Sequence, residues 1–223
     1  MELFEAMLTR TSKRDFEDTP VPKETLDKIL TASLRAPSWV NSQPWEIAVS
    51  TGKTSRFIKE NFKKLVLEGN PGNPDFAFPL SPELWPEKQN TIMFETGKLI
   101  YGALNISRDD TKKRSDILLH NYNFFGSQTA IFVYMDEKLG LWSALDCGML
   151  IQNMLLAAHA EGLGACPQAM LVGYPDVLRE AFNQPESKKF LLGISIGFYK
   201  KDSAANNIKT SREHLKDAVK YYD

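Results

Sequence analysis

Cysteine is scarce, with only Cys147 and Cys166 in 223 residues. Two cysteines make no disulfide framework, and their separation fits no zinc-ligand spacing. Histidine is nearly as rare, and His120, His159 and His214 form no metal-ligand set. His159, on an apolar helical stretch, reads as a satisfied core residue rather than a ligand. There is no G-x-S-x-G elbow, no G-x-x-x-x-G-K-S/T phosphate loop and no G-x-G-x-x-G turn. No nucleophile or acid–base constellation stands out, so any chemistry falls to a bound cofactor. Charge bias is absent as well. With 27 Lys and Arg against 28 Asp and Glu, the net charge is -1, and neither nucleic acid nor an anionic membrane is an expected partner. Local basic clusters can still bind a small anion. No uncharged apolar run reaches the ~18 residues of a membrane span; the longest candidate, Ala144 to Ala160, carries Asp146, Gln152, Asn153 and His159. The opening Met-Glu-Leu-Phe has no basic n-region or apolar h-region, so the expected location is cytoplasmic.

What is present is ordinary in bulk: 43% hydrophobic and 25% charged residues. The length suits one large domain over residues 1–223, able to bury its apolar surface without disulfide staples. Hydrophobic spacing predicts a helix over 2–9, with Leu3, Phe4, Met7 and Leu8 on one face. A second starts at Pro22, whose missing N–H costs nothing there, and carries Leu26, Ile29, Leu30 and Leu34. Residues 45–50 read as a half-buried strand and 54–68 as a helix with Phe57, Ile58, Phe62 and Leu65 inward. Further helices are expected over 91–106, 110–122 and 175–182, and strands over 130–135, 165–171 and 190–198. The strongest helix, 142–161, is apolar nearly all round, which suits a fold centre or a subunit interface. Gly162 and Gly164 stop it. Helices outnumber strands without a strict βαβ repeat, so the class is α+β with a helix-flanked mixed or antiparallel sheet.

Two stretches are irregular. Residues 69–86 hold five prolines and two glycines, and the segment 69–90 reads as an excursion over a site. The tail, 200–223, is charged but carries Leu215, Val219, Tyr221 and Tyr222. An arm burying these on another subunit would explain them.

Three polar segments lie between the patterned elements. Arg10-Thr11-Ser12-Lys13-Arg14 offers guanidinium forks and hydroxyls suited to phosphate, or is a solvated helix end. Ala36-Pro37-Ser38-Trp39-Val40-Asn41-Ser42-Gln43-Pro44-Trp45 is stiffened by two prolines. Its Ser38, Asn41 and Gln43 could read the edge of a planar heterocycle, or could simply close a rigid turn. Gly162-Leu163-Gly164-Ala165-Cys166-Pro167-Gln168-Ala169 would let the backbone approach a flat ring, or is a helix stop followed by a strand. Cys166 need not be reactive, since buried cysteine behaves as a small hydrophobe.

Taken together and in this order, the three segments resemble the nitroreductase family. The Arg-x-Ser-x-Arg pattern stands at Arg10 to Arg14, and Pro-Ser-x-x-Asn-x-Gln-Pro-Trp is intact from Pro37 to Trp45. Gly-Leu-Gly with Cys-Pro-Gln, Asn123-Phe124-Phe125-Gly126, and Gly197-Phe198 with Arg212 beyond are similar to the nitrobenzoate-reductase-like subgroup. Departures are Thr11 where the family often has Arg, Asn206-Asn207 for Asn-Arg, and Lys209-Thr210-Ser211-Arg212 for Arg-Thr-Pro-Arg.

The resemblance implies an α+β homodimer with swapped C-terminal arms and two FMN sites at the interface. It implies that Arg10, Ser12 and Arg212, with Thr11 beside them, hold the FMN phosphate, and that Arg14 lies near the N1/O2 end of the ring. Pro37, Ser38, Asn41 and Gln43 would contact ring or ribityl groups, some from the partner subunit. Pro167 and Gln168 would pack along the ring, with the Ala169 N–H near N5. NADH or NADPH would deliver hydride to the flavin and leave, and a nitroaromatic, quinone or similar electron-poor acceptor would follow by a ping-pong route. No side chain need act as acid, and no metal is implied. Trp85, Phe124 and Phe125 would form an apolar lid, or are plain core. The same fold also hosts reductive dehalogenation, for which Glu87, Lys88 and Glu95 are candidate grips. A flavin-binding protein without turnover, or a domain binding no flavin, are the other readings.

Overall fold

The computed structural model describes residues 1–78 and 84–223. Residues 79–83, part of the expected excursion, lie outside the described residues.

A four-stranded antiparallel sheet forms the middle layer, from β1 (Glu46–Ser50), β2 (Thr129–Asp136), β3 (Gly164–Gln168) and β4 (Lys188–Gly197), in the order β1-β2-β4-β3. Side chains alternate across a strand, and β2 uses both faces. Ile131 and Val133 face one cluster with Ile194 and Ile196. Ala130, Phe132 and Tyr134 face the other with Phe190. A sheet covered on both faces has apolar strands rather than alternating ones, which is why the whole run 130–135 is buried. Between Val133 and Tyr134 the register to β4 slips, leaving Leu191 without a partner residue.

On the first face lie α2 (Lys23–Ser33) and α6 (Leu141–Ala160), supplying Leu26, Ile29, Leu150, Met154 and Ala158. By length and composition alone α6 could cross a membrane. Its buried Cys147, Leu150 and Met154 instead make it the core helix of this layer. A Schellman closure ends it: Leu163 N–H donates to Ala158 O at 2.9 Å and Gly162 N–H to His159 O at 3.0 Å, with Gly162 at φ 78°. The other face carries α3 (Gly52–Leu67), α5 (Thr111–Tyr122) and α7 (Pro175–Phe182), with Ile58, Phe62, Tyr122 and Leu178 inward.

Three expectations shift. The helix α4 (Glu87–Ala103) begins earlier than 91, because Pro86 caps it and fits a helix start. The strand expected to 171 ends at Gln168, where the chain tightens into a 3-10 turn over Ala169–Val172. The excursion is tied down in its first half: Asn73 N–H donates to Gly173 O at 2.9 Å, and Asp75 pairs with Arg179 and accepts from Phe190 N–H at 2.9 Å. The first helix, α1 (Leu3–Thr9), buries Ala6 and leaves Leu3, Phe4, Met7 and Leu8 exposed. At the other end, α8 (Leu215–Ala218) lies in an exposed tail with Tyr221 and Tyr222.

Candidate active site

The first polar segment leaves α1 and runs along the free edge of β3. Ser12 pairs with Ala165 as a parallel bridge, and Lys13 N–H donates to Ala165 O at 3.1 Å. Gly164 makes the approach possible. A Cβ there would lie 2.8 Å from Lys13 Cγ and 2.9 Å from both Lys13 Cβ and Tyr199 Cδ1. At this glycine the close approach is made by the protein's own chain.

Asn206 locks the segment in place, and sequence reasoning gave it no role. It is 1% exposed. Its Oδ1 accepts from Arg14 N–H at 2.6 Å and Asp15 N–H at 3.1 Å. Its Nδ2 donates to Asp15 O at 2.6 Å and Lys200 O at 2.9 Å. Lys13 Nζ donates to the Asn206 carbonyl at 2.9 Å. One buried amide therefore fixes the 10–15 backbone to the 200–212 segment.

That junction builds a pocket of about 390 Å³. Arg10, Arg14, Lys209 and Arg212 line it with the hydroxyls of Thr11 and Ser12, and no carboxylate residue is among its lining residues. Burial and the neighbouring Arg212 both lower the Arg10 pKa, against a small opposing pull from Cys166. Lys13 is lowered by burial and by Lys209. Neither Arg10 nor Arg212 has an ion pair among the described residues; Arg212 Nη1 turns onto Thr210 Oγ1 at 2.8 Å. Like charges gathered without a counter-charge repel, and a bound anion relieves that repulsion. A phosphate matches this donor set of forks and hydroxyls.

A second cavity, about 540 Å³, adjoins through Arg14 and Ile208, which line both. Its walls are mainly apolar, from Met93, Ile100, Ile117 and Phe125, with Arg14, Asp15, Tyr101, His120 and Asn121 among its polar residues. Its volume suits a planar organic ligand. Burial holds His120 below the usual imidazole value, although Asp15 and a hydrogen bond to the Arg14 backbone pull the other way. Its ring meets Phe125 edge-on at 5.5 Å. Phe125 thus borders the cavity, whereas Phe124 is fully buried against Phe132 and is core rather than lid. Trp85 is half-buried at the foot of α4.

The third segment follows β3 away from the Ser12 bridge. Pro167 is half-buried and Ala169 exposed. Gln168 differs from the expectation: its Nε2 donates to Asn121 Oδ1 at 2.9 Å and its Oε1 accepts from Ser195 Oγ, so the side chain faces the interior. Burial pushes the Cys166 thiol up, against Arg14, Ser12 and Arg10.

The loop 36–45 stands apart from these. Val40, Asn41 and Gln43 have φ of 46°, 56° and 46°, and a β-branched residue there is strained. Two bonds impose the shape: Trp39 N–H to Asp146 Oδ2 at 3.1 Å and Gln43 N–H to Ser38 Oγ at 3.0 Å. Pro37, Asn41 and Gln43 are exposed and Ser38 half-buried. Asp146 anchors this loop on α6. His159, thirteen residues further along α6, bonds Thr9 beside Arg10 at 2.8 Å. At about 1.5 Å per residue the two points are roughly 20 Å apart. The chain therefore gathers Arg10, Thr11, Ser12, Arg14 and Arg212, but does not itself bring Ser38, Asn41 and Gln43 to them.

The sequence model of the Nitroreductase family matches residues 7–198. The chain is 28% identical to the 4-nitrobenzoate reductase of Pseudomonas putida, over 94% of this chain and 91% of that protein. It is 30% identical to the chloronitrobenzene nitroreductase of Comamonas testosteroni, over 93% and 91%. Among solved structures, the FMN-dependent nitroreductase NfnB from Mycobacterium smegmatis in complex with NADPH superposes with a TM-score of 0.93 at 26% identity, covering 99% of this chain and 97% of that one. The FMN and NADPH-dependent NfnB from sphigopyxis sp. strain HMH gives 0.95 at 26%, covering 100% of both. With the fold, the family match and the cationic pocket in agreement, this chain belongs to the nitroreductase family.

Proposed function

We propose that this protein is an FMN-dependent oxidoreductase. It draws reducing equivalents from NADH or NADPH and passes them, by a ping-pong route, to nitroaromatic, quinone or similar electron-poor acceptors. The observation that carries this reading is the cationic pocket, free of carboxylates, opening through Arg14 onto the apolar cavity. Bound FMN would supply the two-electron chemistry.

The chain's own residues do the rest. Arg10, Arg212 and the hydroxyls of Thr11 and Ser12 would hold the phosphate. Arg14, at the junction of the two cavities, would lie by the N1/O2 end of the ring and stabilise the negative charge that builds there on reduction. Pro167 and the Ala169 backbone would border the ring, while Gln168 supports that strand from within.

The reading includes a homodimer. Phe4, Leu8, Leu141, Trp142 and Tyr222 are 68–86% exposed, more apolar surface than a monomer usually shows. A second subunit packed on α1 and α6 would cover it, would receive the 200–223 arm, and would bring Pro37, Ser38, Asn41 and Gln43 to the site. Residues 1–223 then act as one domain, with 69–90 as its irregular excursion. A reduced nicotinamide dinucleotide is a cytoplasmic reagent, which fits a cytoplasmic location.

Steady-state assays with FMN-loaded protein test the proposal. NAD(P)H consumption that depends on 4-nitrobenzoate or a quinone, by a species of twice the 25.2 kDa chain mass, is expected. Turnover of halophenols instead would point to dehalogenation, and binding without any donor oxidation to a non-catalytic flavin protein.

A further inference from the structure

A third cavity, about 460 Å³, continues the second along α4, and Met93, Gly97 and Tyr101 line both. These residues recur every four positions, so they form one face of the helix about 12 Å long. Lys98, Arg108 and Arg114 line this third cavity and not the second. Glu95 is held by Lys98 at 2.7 Å and Asp110 by Lys113 at 3.1 Å. Arg108 and Arg114 have no ion pair among the described residues, and Arg114 lies 4.3 Å over the Tyr101 ring. Glycine inside a helix is costly relative to alanine, yet a Cβ at Gly97 would meet nothing within 4 Å. A side chain added at Gly97 would extend into the open space that both cavities share.

We infer that this groove seats the adenosine end of the nicotinamide donor, and that Arg108 and Arg114 grip the 2′-phosphate that distinguishes NADPH from NADH. The inference rests on the flavin-reductase reading and adds a donor preference to it. The phosphate needs two or three charge-assisted donors, and the guanidinium pair supplies them in the cavity that Arg14 does not line. The nicotinamide would then lie over the second cavity, where the acceptor later takes its place.

Three variants of the FMN-loaded protein test this. Arg108→Ala, and Arg108→Ala with Arg114→Gln, are expected to lower the NADPH-to-NADH ratio of kcat/KM by about tenfold or more, with NADH parameters little changed. Calorimetry with 2′,5′-ADP against 5′-AMP provides a readout independent of turnover: wild type should prefer the former, and the double variant should not. Gly97→Leu should raise the melting temperature while weakening both donors. An unchanged ratio in the double variant, or equal 2′,5′-ADP binding by wild type and double variant, overturns the inference. Failure of the flavin reading is distinguishable, since wild type would then oxidise neither donor, and calorimetry would still decide the phosphate site.

Discussion

Asn206→Ala is the most informative single substitution. It removes the acceptor of two main-chain N–H groups, Arg14 and Asp15, and the donor to two carbonyls, Asp15 and Lys200. The residue is 1% exposed, so water cannot simply replace it. A buried donor left unpaired costs about 1–3 kcal/mol. With two stranded and partial relaxation, roughly 2–4 kcal/mol of stability should be lost. For a chain of this size that is a drop of about 5–15 °C in melting temperature. The same bonds fix the backbone that presents Arg10 and Arg14, so FMN affinity should fall by at least about tenfold. Thermal unfolding of the flavin-free protein measures the first quantity, and fluorescence titration with FMN the second. Asn206→Asp keeps the Oδ1-type acceptor and should recover part of both. A melting temperature within ~1 °C of wild type, or a large stability loss with unchanged FMN affinity, would refute the coupling of this amide to the site.

Other consequences follow from the same geometry. Gly193→Ala would place a Cβ 2.5 Å from Leu171 Cβ, and should cost about 1–3 kcal/mol in urea unfolding. Burial lowers both His120 and His159 below the usual 6.5. The unfolded chain then binds protons first as pH falls, so this stability is present above about pH 6.5 and is lost below it, towards the lower folded values. His120→Gln should flatten part of that slope in melting curves from pH 8 to 5. Burial pushes the Cys147 thiol up to about 12 and raises Cys166 as well. Neither should react with a thiol reagent in the native protein near pH 8, while both should react in urea. Rapid native labelling of either would contradict the described packing.

Much of the fold was legible because its signals are local. Pro22 and Pro175 mark helix starts, and the apolar run at 130–135 reads as a covered strand. The spacing in α2 and α3 places Ile29, Ile58 and Phe62 inward, as found. The first polar segment stood out for a similar reason: Arg10 to Arg14 gathers polar groups in five consecutive residues, and Arg10, Thr11, Ser12 and Arg14 line one pocket. What stayed hidden depends on tertiary direction. Nothing local shows that Gln168 turns inward to Asn121 and Ser195, or that Phe124 is core while Phe125 borders a cavity. Asn206 looks like any polar residue in a charged tail, and its role exists only because residues 14 and 15 return to it. The apolar stripe of α1 was readable, but its exposure was not, since periodicity cannot say which surface a stripe will meet. The wall of Met93, Gly97 and Tyr101 was lost for the same reason.

The most direct measurement is the visible spectrum of the purified protein with FMN added, before and after anaerobic NADPH and then NADH. A flavin spectrum that stays with the protein through desalting, depends on Arg10 and Arg212, and bleaches with either donor is expected. Protein that retains no flavin, or retains flavin that neither donor reduces, would contradict the assignment of this site.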